Sequence, residues 1–166
     1  GKTILGLLLV MFAQELGLID NVVIINPTKN INKAWVNEAS DLGIELKGNT
    51  PKEVMYTLTD DYFGRAFTFK KLESFDKKKE NKEYYTFKGE IRRSTMLIID
   101  ESHHCSIQSN WGKIITEMFE VCSFIVLLSG TPYRTDKMPI PFAPIVKDQE
   151  GKYVLKPDIE YSYAEG

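Results

Sequence analysis

Three short runs of apolar residues, each followed by polar residues, stand out in the hydrophobic pattern of the chain. They cover residues 22–25, 96–99 and 124–128. None of them alternates between apolar and polar positions, as a strand with one solvated face would. Short continuous runs of this kind are typical of strands buried on both faces, as in parallel sheets. The pattern therefore predicts an α/β fold with a mostly parallel sheet.

Segments with helical periodicity separate these predicted strands. Residues 2–16 are apolar on nearly every side, which predicts a buried helix that ends at Gly17. Residues 30–42 and 113–121 are amphipathic, which predicts helices with one face on the sheet. Their predicted buried positions are Ile31, Ala34, Trp35, Ala39 and Leu42 in the former, and Ile114, Ile115, Met118 and Val121 in the latter. Helices between parallel strands can cover both faces of the sheet.

The remaining segments carry weaker signals. They predict a strand at residues 44–46, a helix at 50–58, a strand at 65–69, a helix opening at Lys70, and a hairpin of residues 140–146 with 152–155. The mixed charge run at residues 76–83 is typical of a solvated helix end or a mobile loop. We assign no chemistry to that run.

Length, charge and cysteine content limit the choice of function. A chain of 166 residues with 43% hydrophobic and 27% charged residues is typical of one globular domain. Because the formal net charge is -2, any contact with nucleic acid must be local. Cys105 and Cys122 lack C-x-x-C spacing, which favours reduced thiols in a cytoplasmic protein. No apolar run is long enough to cross a bilayer.

Two adjacent carboxylates, Asp100 and Glu101, follow the second apolar run. Open α/β sheets bind their ligands at the carboxyl ends of their strands, which is where these side chains would lie. Neighbouring carboxylates repel each other unless a cation or a proton relieves them. One explanation is that Asp100 holds Mg²⁺ through water while Glu101 orients or deprotonates an attacking water. The alternative is a strand that ends in a solvated acidic turn.

The next three residues, His103, His104 and Cys105, include types that bind zinc. Consecutive side chains do not easily converge on one metal ion, and no second ligand pair has the usual spacing. We therefore do not expect a zinc site.

The first residues of the chain, Gly1, Lys2 and Thr3, match the end of the phosphate-binding pattern G-x-x-x-x-G-K-[ST]. A helix that starts there would point its free N–H groups at a phosphate. In that pattern Lys2 reaches the β- and γ-phosphates and the Thr3 hydroxyl binds Mg²⁺. Taken alone, the tripeptide could be an ordinary helix start.

Three motifs in order carry a family resemblance: Gly1 to Thr3, then Asp100-Glu-Ser-His103, then Ser129-Gly-Thr131 with the following proline. Together they resemble the first motor domain of superfamily-two DExH-box helicases and translocases. A closer match is the branch of type III restriction-subunit-like helicases, often found in phages and mobile elements. The resemblance implies a RecA-like P-loop fold that uses ATP and Mg²⁺.

The resemblance also implies roles for the remaining motif residues. His103, Ser129 and Thr131 would couple the nucleotide site to the nucleic acid and to a second RecA-like domain. Arg134 could contact an anion, but it is not expected to be the transition-state arginine, which the family supplies from the second motor domain.

The turn of Pro27, Thr28 and Lys29 resembles the family motif that grips the nucleic-acid backbone. The Thr28 hydroxyl, Lys29 and the helix N-terminus could meet one phosphate. An ordinary turn with Thr28 or Asn30 as the N-cap is the alternative.

Thr68 and Phe69 resemble a threonine–aromatic pair that lies near the bound strand in this family. Lys70 and Lys71 could add phosphate contacts, or they could be solvated helix charges. Thr68 and Lys70 are therefore further candidates for binding nucleic acid.

The resemblance predicts a fragment without the first strand and most of the phosphate loop. Residues 1–136 would form a partial ATP-binding domain, and residues 137–166 a hairpin and the start of a linker to the second motor domain. The strand at residues 125–128 would neighbour the missing strand, so we expect one sheet edge to be unpaired. Such a fragment should hydrolyse little or no ATP alone.

The predicted function is ATP hydrolysis coupled to movement on, or unwinding of, nucleic acid, with DNA favoured over RNA. Two alternatives are the motor subunit of a restriction system and a nucleotide-gated clamp that binds nucleic acid without productive turnover.

Overall fold

A computed structural model describes residues 1–48, 62–75, 82–131, 138–151 and 153–159, except the side chains of Glu83, Tyr153 and Leu155. Several sequence predictions lie outside these residues. They are the helix at residues 50–58, most of the charge run at 76–83, Arg134 and the tail beyond residue 159.

In the described part of the chain, five parallel strands form the main sheet. They are β1 (Asn21–Asn26), β2 (Leu46–Lys47), β3 (Gly64–Thr68), β4 (Thr95–Asp100) and β5 (Phe124–Leu128). Their order is β2-β3-β1-β4-β5, and every pairing is parallel. The predicted α/β fold with a parallel sheet is confirmed. All five carboxyl ends therefore lie at one edge of the sheet.

The central strands explain the continuous apolar runs. Every residue of β1 and β4 is buried, so neither strand has a solvated face. β5 is one of the two outer strands of the described sheet, and four of its five residues are only partly buried. Within the described residues, β5 thus forms the open edge that the sequence predicted.

Helices cover both faces of the sheet, as predicted. They are α1 (Lys2–Glu15), α2 (Lys29–Asp41), α3 (Phe69–Leu72), α4 (Lys82–Glu90) and α5 (Asn110–Phe119), with 3-10 turns at Glu73–Phe75 and Ser102–His104. One core lies between the sheet and the pair α1 and α2, through residues such as Leu7 and Trp35. The other core joins the sheet to α3, α4 and α5, through residues such as Leu72, Phe87 and Ile115.

The prediction that α1 is buried all round is wrong. Its buried residues are Gly6, Leu7, Val10 and Ala13. The large apolar side chains that are exposed are Ile4, Leu5, Leu8, Leu9, Met11 and Phe12. A helix on a sheet contacts it along one stripe only, and no described element covers the other side of α1.

Two predicted buried positions on the other helices are also wrong. In α2, Ala34 is exposed, whereas Asn32 is buried. Val121 is 43% exposed because α5 ends at Phe119. Helix α5 starts three residues before the predicted residue 113, since the side chain of Ser109 caps it by accepting a hydrogen bond from Gly112 N.

The predicted hairpin is present but shorter. β6 (Ile145–Lys147) pairs antiparallel with β7 (Tyr153–Leu155). Pro141 and Pro144 interrupt the predicted first strand, because proline has no N–H to donate to a ladder. The strand predicted at residues 65–69 ends at Thr68, and Phe69 begins α3 instead.

Candidate active site

The candidate catalytic residues meet at the carboxyl edge of the sheet. Asp100 ends β4 and is in register with Leu128, the last residue of β5. Glu101 and Ser129, which follow these two residues, therefore leave neighbouring strands side by side. The N-terminus of α1 lies at the same place, because Lys2 reaches both Asp100 and Glu101.

Lys2 is the cation of this cluster. Its ammonium forms an ion pair with Glu101 Oε1 and lies 4.0 Å from Asp100 Oδ1. It also lies against Gly130, since a Cβ on that glycine would be 3.7 Å from Lys2 Nζ. Gly1 caps α1 without a side chain, so the first N–H groups of the helix have no side-chain partner there. A lysine beside such a helix start can bind an anion.

Glu101 has an unusual backbone. Its φ of 51° and ψ of 50° place it in the left-handed region, which non-glycine residues rarely adopt. This conformation turns the chain sharply at the end of β4, directly before the 3-10 turn at Ser102–His104. The sharp turn brings the Glu101 carboxylate to Lys2 and Gly130.

The charge state of Glu101 follows from its surroundings. Burial alone would raise the pKa of its carboxyl group, but the hydrogen bond and charge of Lys2, the Gly130 N–H and His103 outweigh burial. The pKa of Glu101 is therefore lowered, and its carboxylate is ionised at neutral pH.

Asp100 is 5% exposed and uses its two oxygens differently. Oδ2 accepts a hydrogen bond of 2.9 Å from Trp35 Nε1. Oδ1 is buried and has no hydrogen-bond partner among the described residues. A buried carboxylate oxygen without a partner is costly, and a bound cation would offset that cost. Asp100 therefore offers a carboxylate oxygen of the kind that Mg²⁺ prefers, and the hydroxyl of Thr3, in the first turn of α1, is a ligand of the same type.

His103 joins the two loops that leave β4 and β5. Its Nδ1 lies 2.8 Å from Ser129 Oγ, 3.3 Å from Thr131 Oγ1 and 3.3 Å from Glu101 Oε2. Ser129 Oγ donates its own proton to the Thr131 carbonyl, at 2.7 Å. Because the Ser129 proton is already donated, His103 Nδ1 must carry the proton that is donated to Ser129 Oγ. A protonated Nδ1 also interacts favourably with the nearby carboxylate oxygen of Glu101. The three predicted coupling residues lie in one hydrogen-bonded group with Glu101.

Residues 1–134 match the family described as "Type III restriction enzyme, res subunit". The chain belongs to this family. As a res-subunit family member, it is a RecA-like motor domain of the helicase superfamily.

Relatives of known sequence are longer than this chain. An uncharacterized protein of Mycobacterium leprae is 29% identical over 166 residues, which are 100% of this chain and 26% of that protein. An uncharacterized protein of Mycobacterium tuberculosis is 27% identical over 165 residues, which are 99% of this chain and 26% of that protein. The chain thus spans about a quarter of the length of these relatives.

A solved structure shows the same fold. It is described as "Sulfolobus solfataricus SWI2/SNF2 ATPase core in complex with dsDNA" and superposes with a TM-score of 0.63 at 21% identity. The match covers 80% of this chain and 26% of that chain. Among the described residues, no helix is long and apolar enough to span a membrane.

The candidate nucleic-acid residues of this res-subunit family member form a second group at the same sheet edge. Pro27, Thr28 and Lys29 follow β1, and Thr68 and Lys70 lie at the end of β3. The two strands are neighbours, with Asn26 in register with Thr68. Lys29 and Lys70 are exposed.

The threonines of that second group cap helices. Thr28 Oγ1 accepts a hydrogen bond from Ile31 N at 3.3 Å, and Thr68 Oγ1 accepts one from Lys71 N at 3.3 Å. The ordinary capped turn considered for Thr28 is therefore present. A hydroxyl that accepts from a backbone N–H can still donate its own proton, so capping and phosphate binding are compatible.

Three features of the site were not predicted from the sequence. The first is the place of Trp35 beside Asp100, although the predicted burial of Trp35 is confirmed. The second is the hydrogen bond that the Gly130 N–H donates to the Glu101 carboxylate. The third is the side-chain amide of Asn26, at the end of β1, which is buried and has no hydrogen-bond partner among the described residues. Helical periodicity can predict that a tryptophan is buried, but no sequence signal tells which carboxylate its N–H meets.

Proposed function

We propose that this chain is the nucleotide-binding part of an ATP-dependent motor that moves on or unwinds nucleic acid, with DNA favoured over RNA. The observation that carries the proposal is the meeting of Lys2, Asp100 and Glu101 at the N-terminus of α1. ATP hydrolysis requires a cation near the phosphates, a carboxylate that can bind Mg²⁺ and a base that can activate water. Lys2, Asp100 and Glu101 can supply these three functions in that order. Membership of the helicase superfamily supports the same reaction.

The phosphates of ATP would bind at the start of α1. There Lys2 and the free N–H groups near Gly1 and Thr3 would neutralise their charge. Mg²⁺, held through Thr3 and Asp100, would supply further positive charge for the transferred phosphoryl group.

Binding of phosphate would change the partners of Glu101. Lys2 would exchange its carboxylate partner for phosphate oxygens, leaving Glu101 with Gly130 and His103 among the described residues. Because Lys2 lowers the pKa of Glu101, its departure raises that pKa and makes Glu101 a stronger base. Glu101 would then accept a proton from the attacking water.

When Lys2 moves from Glu101 to phosphate, the change would be transmitted to the rest of the motor through His103, Ser129 and Thr131. His103 contacts Glu101 and also Ser129 and Thr131, which follow β5. A shift of Glu101 would therefore alter all three contacts of His103. We propose that a second RecA-like domain of the full-length protein receives this signal. In this proposal residues 1–136 belong to the first motor domain and residues 137–166 lead toward the second.

Nucleic acid would bind at the turns after β1 and β3. Lys29 and Lys70 are exposed cations there, and Pro27, Thr28 and Thr68 shape the two turns. The solved Sulfolobus structure of the same fold is of a complex with double-stranded DNA, which favours DNA as the track. With a net charge of -2, binding would depend on these local contacts.

Steady-state ATP turnover by the full-length protein tests the proposal. We expect stimulation by one of single-stranded DNA, duplex DNA or RNA, and a fall of about 100-fold or more in Glu101→Gln. The variant should still bind ATP, since Lys2 and Asp100 are intact. ATP turnover that no nucleic acid stimulates, or that Glu101→Gln does not reduce, would overturn the proposal. Tight ATP-dependent binding of nucleic acid without phosphate release would instead support a nucleotide-gated clamp.

A second candidate function is the motor of a restriction system, which the description of the matching family favours. Such a motor would move DNA toward a nuclease. ATP-dependent cleavage of duplex DNA by the full-length protein would establish it, whereas ATP-dependent movement without cleavage would exclude it.

A further inference from the structure

Trp35 belongs to helix α2, and its side chain reaches Asp100 in the cluster formed by Lys2, Asp100 and Glu101. The side chain is completely buried, and its Nε1 donates to Asp100 Oδ2 at 2.9 Å. This bond joins the second turn of α2 to the end of β4, across 65 positions of sequence. Burial removes water as a competing partner, so the hydrogen bond is a strong constraint on the carboxylate.

The indole ring is itself held in place by α1. A Cβ on Gly6 would lie 2.7 Å from the Cη2 atom of Trp35 and 3.4 Å from a methyl group of Leu128. Only a residue without a side chain lets α1 approach the ring this closely. Trp35 is therefore fixed between the helix that starts at Lys2 and the sheet that ends at Asp100.

The hydrogen bond decides which Asp100 oxygen is available. Oδ2 accepts the indole N–H, whereas Oδ1 is buried, has no hydrogen-bond partner among the described residues, and lies 4.0 Å from Lys2 Nζ. An indole N–H only donates, so it orients the carboxylate without competing for a cation. A hydrogen bond to one oxygen of a metal-binding carboxylate is a known means of aiming the other oxygen.

We propose that Trp35 is a positioning residue for the magnesium site: it holds Asp100 Oδ2 so that Oδ1 faces the Mg²⁺–nucleotide complex. The proposal rests on the proposed ATP hydrolysis, because that reaction supplies the metal–nucleotide complex. It adds a role for a residue that none of the sequence motifs contains.

The test compares Trp35→Phe and Trp111→Phe in the full-length protein. Both changes keep an aromatic ring and remove one indole N–H. Trp111 donates to the exposed Glu73 at 3.0 Å, so it is a matched control. The readout is the affinity for Mn²⁺ in the presence of ADP, measured by electron paramagnetic resonance, beside the affinity for ADP in EDTA.

We expect the Mn²⁺ affinity to fall about 10- to 100-fold in Trp35→Phe and to stay at the wild-type value in Trp111→Phe. ADP affinity in EDTA should be the same in all three proteins, since a general packing defect would weaken it too. Wild-type Mn²⁺ affinity in folded Trp35→Phe would overturn the positioning role.

A further substitution covers the case in which Trp35→Phe fails to fold. Replacing Trp35 by 3-benzothienylalanine keeps the shape of the ring but has sulfur in place of the N–H. The same loss of Mn²⁺ affinity is expected, and an unchanged affinity would again overturn the positioning role. If the wild-type protein binds neither ADP nor Mn²⁺, the proposed function itself is wrong, which is a distinguishable result.

Discussion

Glu101 combines a strained backbone with the side chain to which we assign proton transfer. Its φ of 51° favours glycine, yet a carboxylate stands there and pairs with Lys2. Strained residues of this kind persist where the surrounding structure over-determines them, and they cluster at functional sites. The strain and the ion pair thus both support a functional role for this position.

The backbone of Glu101 makes a testable prediction about stability. Glu101→Gly and Glu101→Ala both remove the carboxylate, but only glycine adopts the left-handed region without cost. We expect the glycine variant to be more stable than the alanine variant by about 1–2 kcal/mol in calorimetric unfolding of the full-length protein. At an ordinary helix or strand position the order is reversed, so a more stable Glu101→Ala would contradict the turn described here.

Cys122 makes a prediction about pH. Burial raises the pKa of its thiol to about 11, so less than about 1% would be thiolate at about pH 9. A free thiol with a pKa of about 8.5 would be about three quarters ionised at that pH. Isotope-coded iodoacetamide labelling, read by mass spectrometry, should therefore be at least about 50-fold slower at Cys122 in the native protein than in urea. Equal rates would show that this thiol is not buried.

Helix α5 depends on one glycine at its start. A Cβ on Gly112 would lie 1.9 Å from the carbonyl oxygen of Ser106, because the preceding loop crosses the helix there. We expect Gly112→Ala to lower the free energy of unfolding by about 2–4 kcal/mol, since backbone must move. Calorimetry of the full-length protein would measure the loss.

Gly89 in α4 is the matched control for Gly112. A Cβ on Gly89 meets nothing within 4 Å, so Gly89→Ala should be neutral or stabilise by up to about 1 kcal/mol. Equal effects of the two alanine substitutions would contradict the packing of the loop against α5.

Individual elements differ in how far their sequence predicts them. β4 was predicted to within one residue at each end, because its apolar run at residues 96–99 fills all but the two end positions of the buried strand. The exposure of Phe12 and its neighbours on α1 was not predicted. The pattern of apolar residues can predict a helix, but it does not tell which elements pack against that helix. The start of α5 was missed because the Ser109 cap outweighed the later apolar positions.

The site is predictable only as far as local chemistry is distinctive. The order of three motifs predicted the residues that meet at the sheet edge, since parallel strands bring their carboxyl ends together. The bond between Trp35 and Asp100 was not predictable, because it depends on how α2 packs on the sheet. The roles of Thr28, Lys29, Thr68 and Lys70 stay predictions, since their contacts depend on a bound nucleic acid.

In the described part of the molecule, the parallel sheet has a polar carboxyl edge, and β5 is an outer strand that is only partly buried. The nucleotide group around Lys2 and the candidate nucleic-acid group around Lys29 share the carboxyl edge of the sheet. Helix α2 links the two groups. Thr28 caps its start beside Lys29, and Trp35, two turns later, donates a hydrogen bond to Asp100. This arrangement suits a motor in which nucleotide and nucleic acid influence each other.

The decisive measurement is a structure of the full-length protein with Mg²⁺ and a nonhydrolysable ATP analogue. We predict that Lys2 leaves Glu101 for the phosphates, and that the metal ion lies on the side of Asp100 Oδ1 while Trp35 keeps Oδ2. A nucleotide bound elsewhere, with the ion pair between Lys2 and Glu101 intact, would contradict the assignment of this edge as the site of ATP hydrolysis.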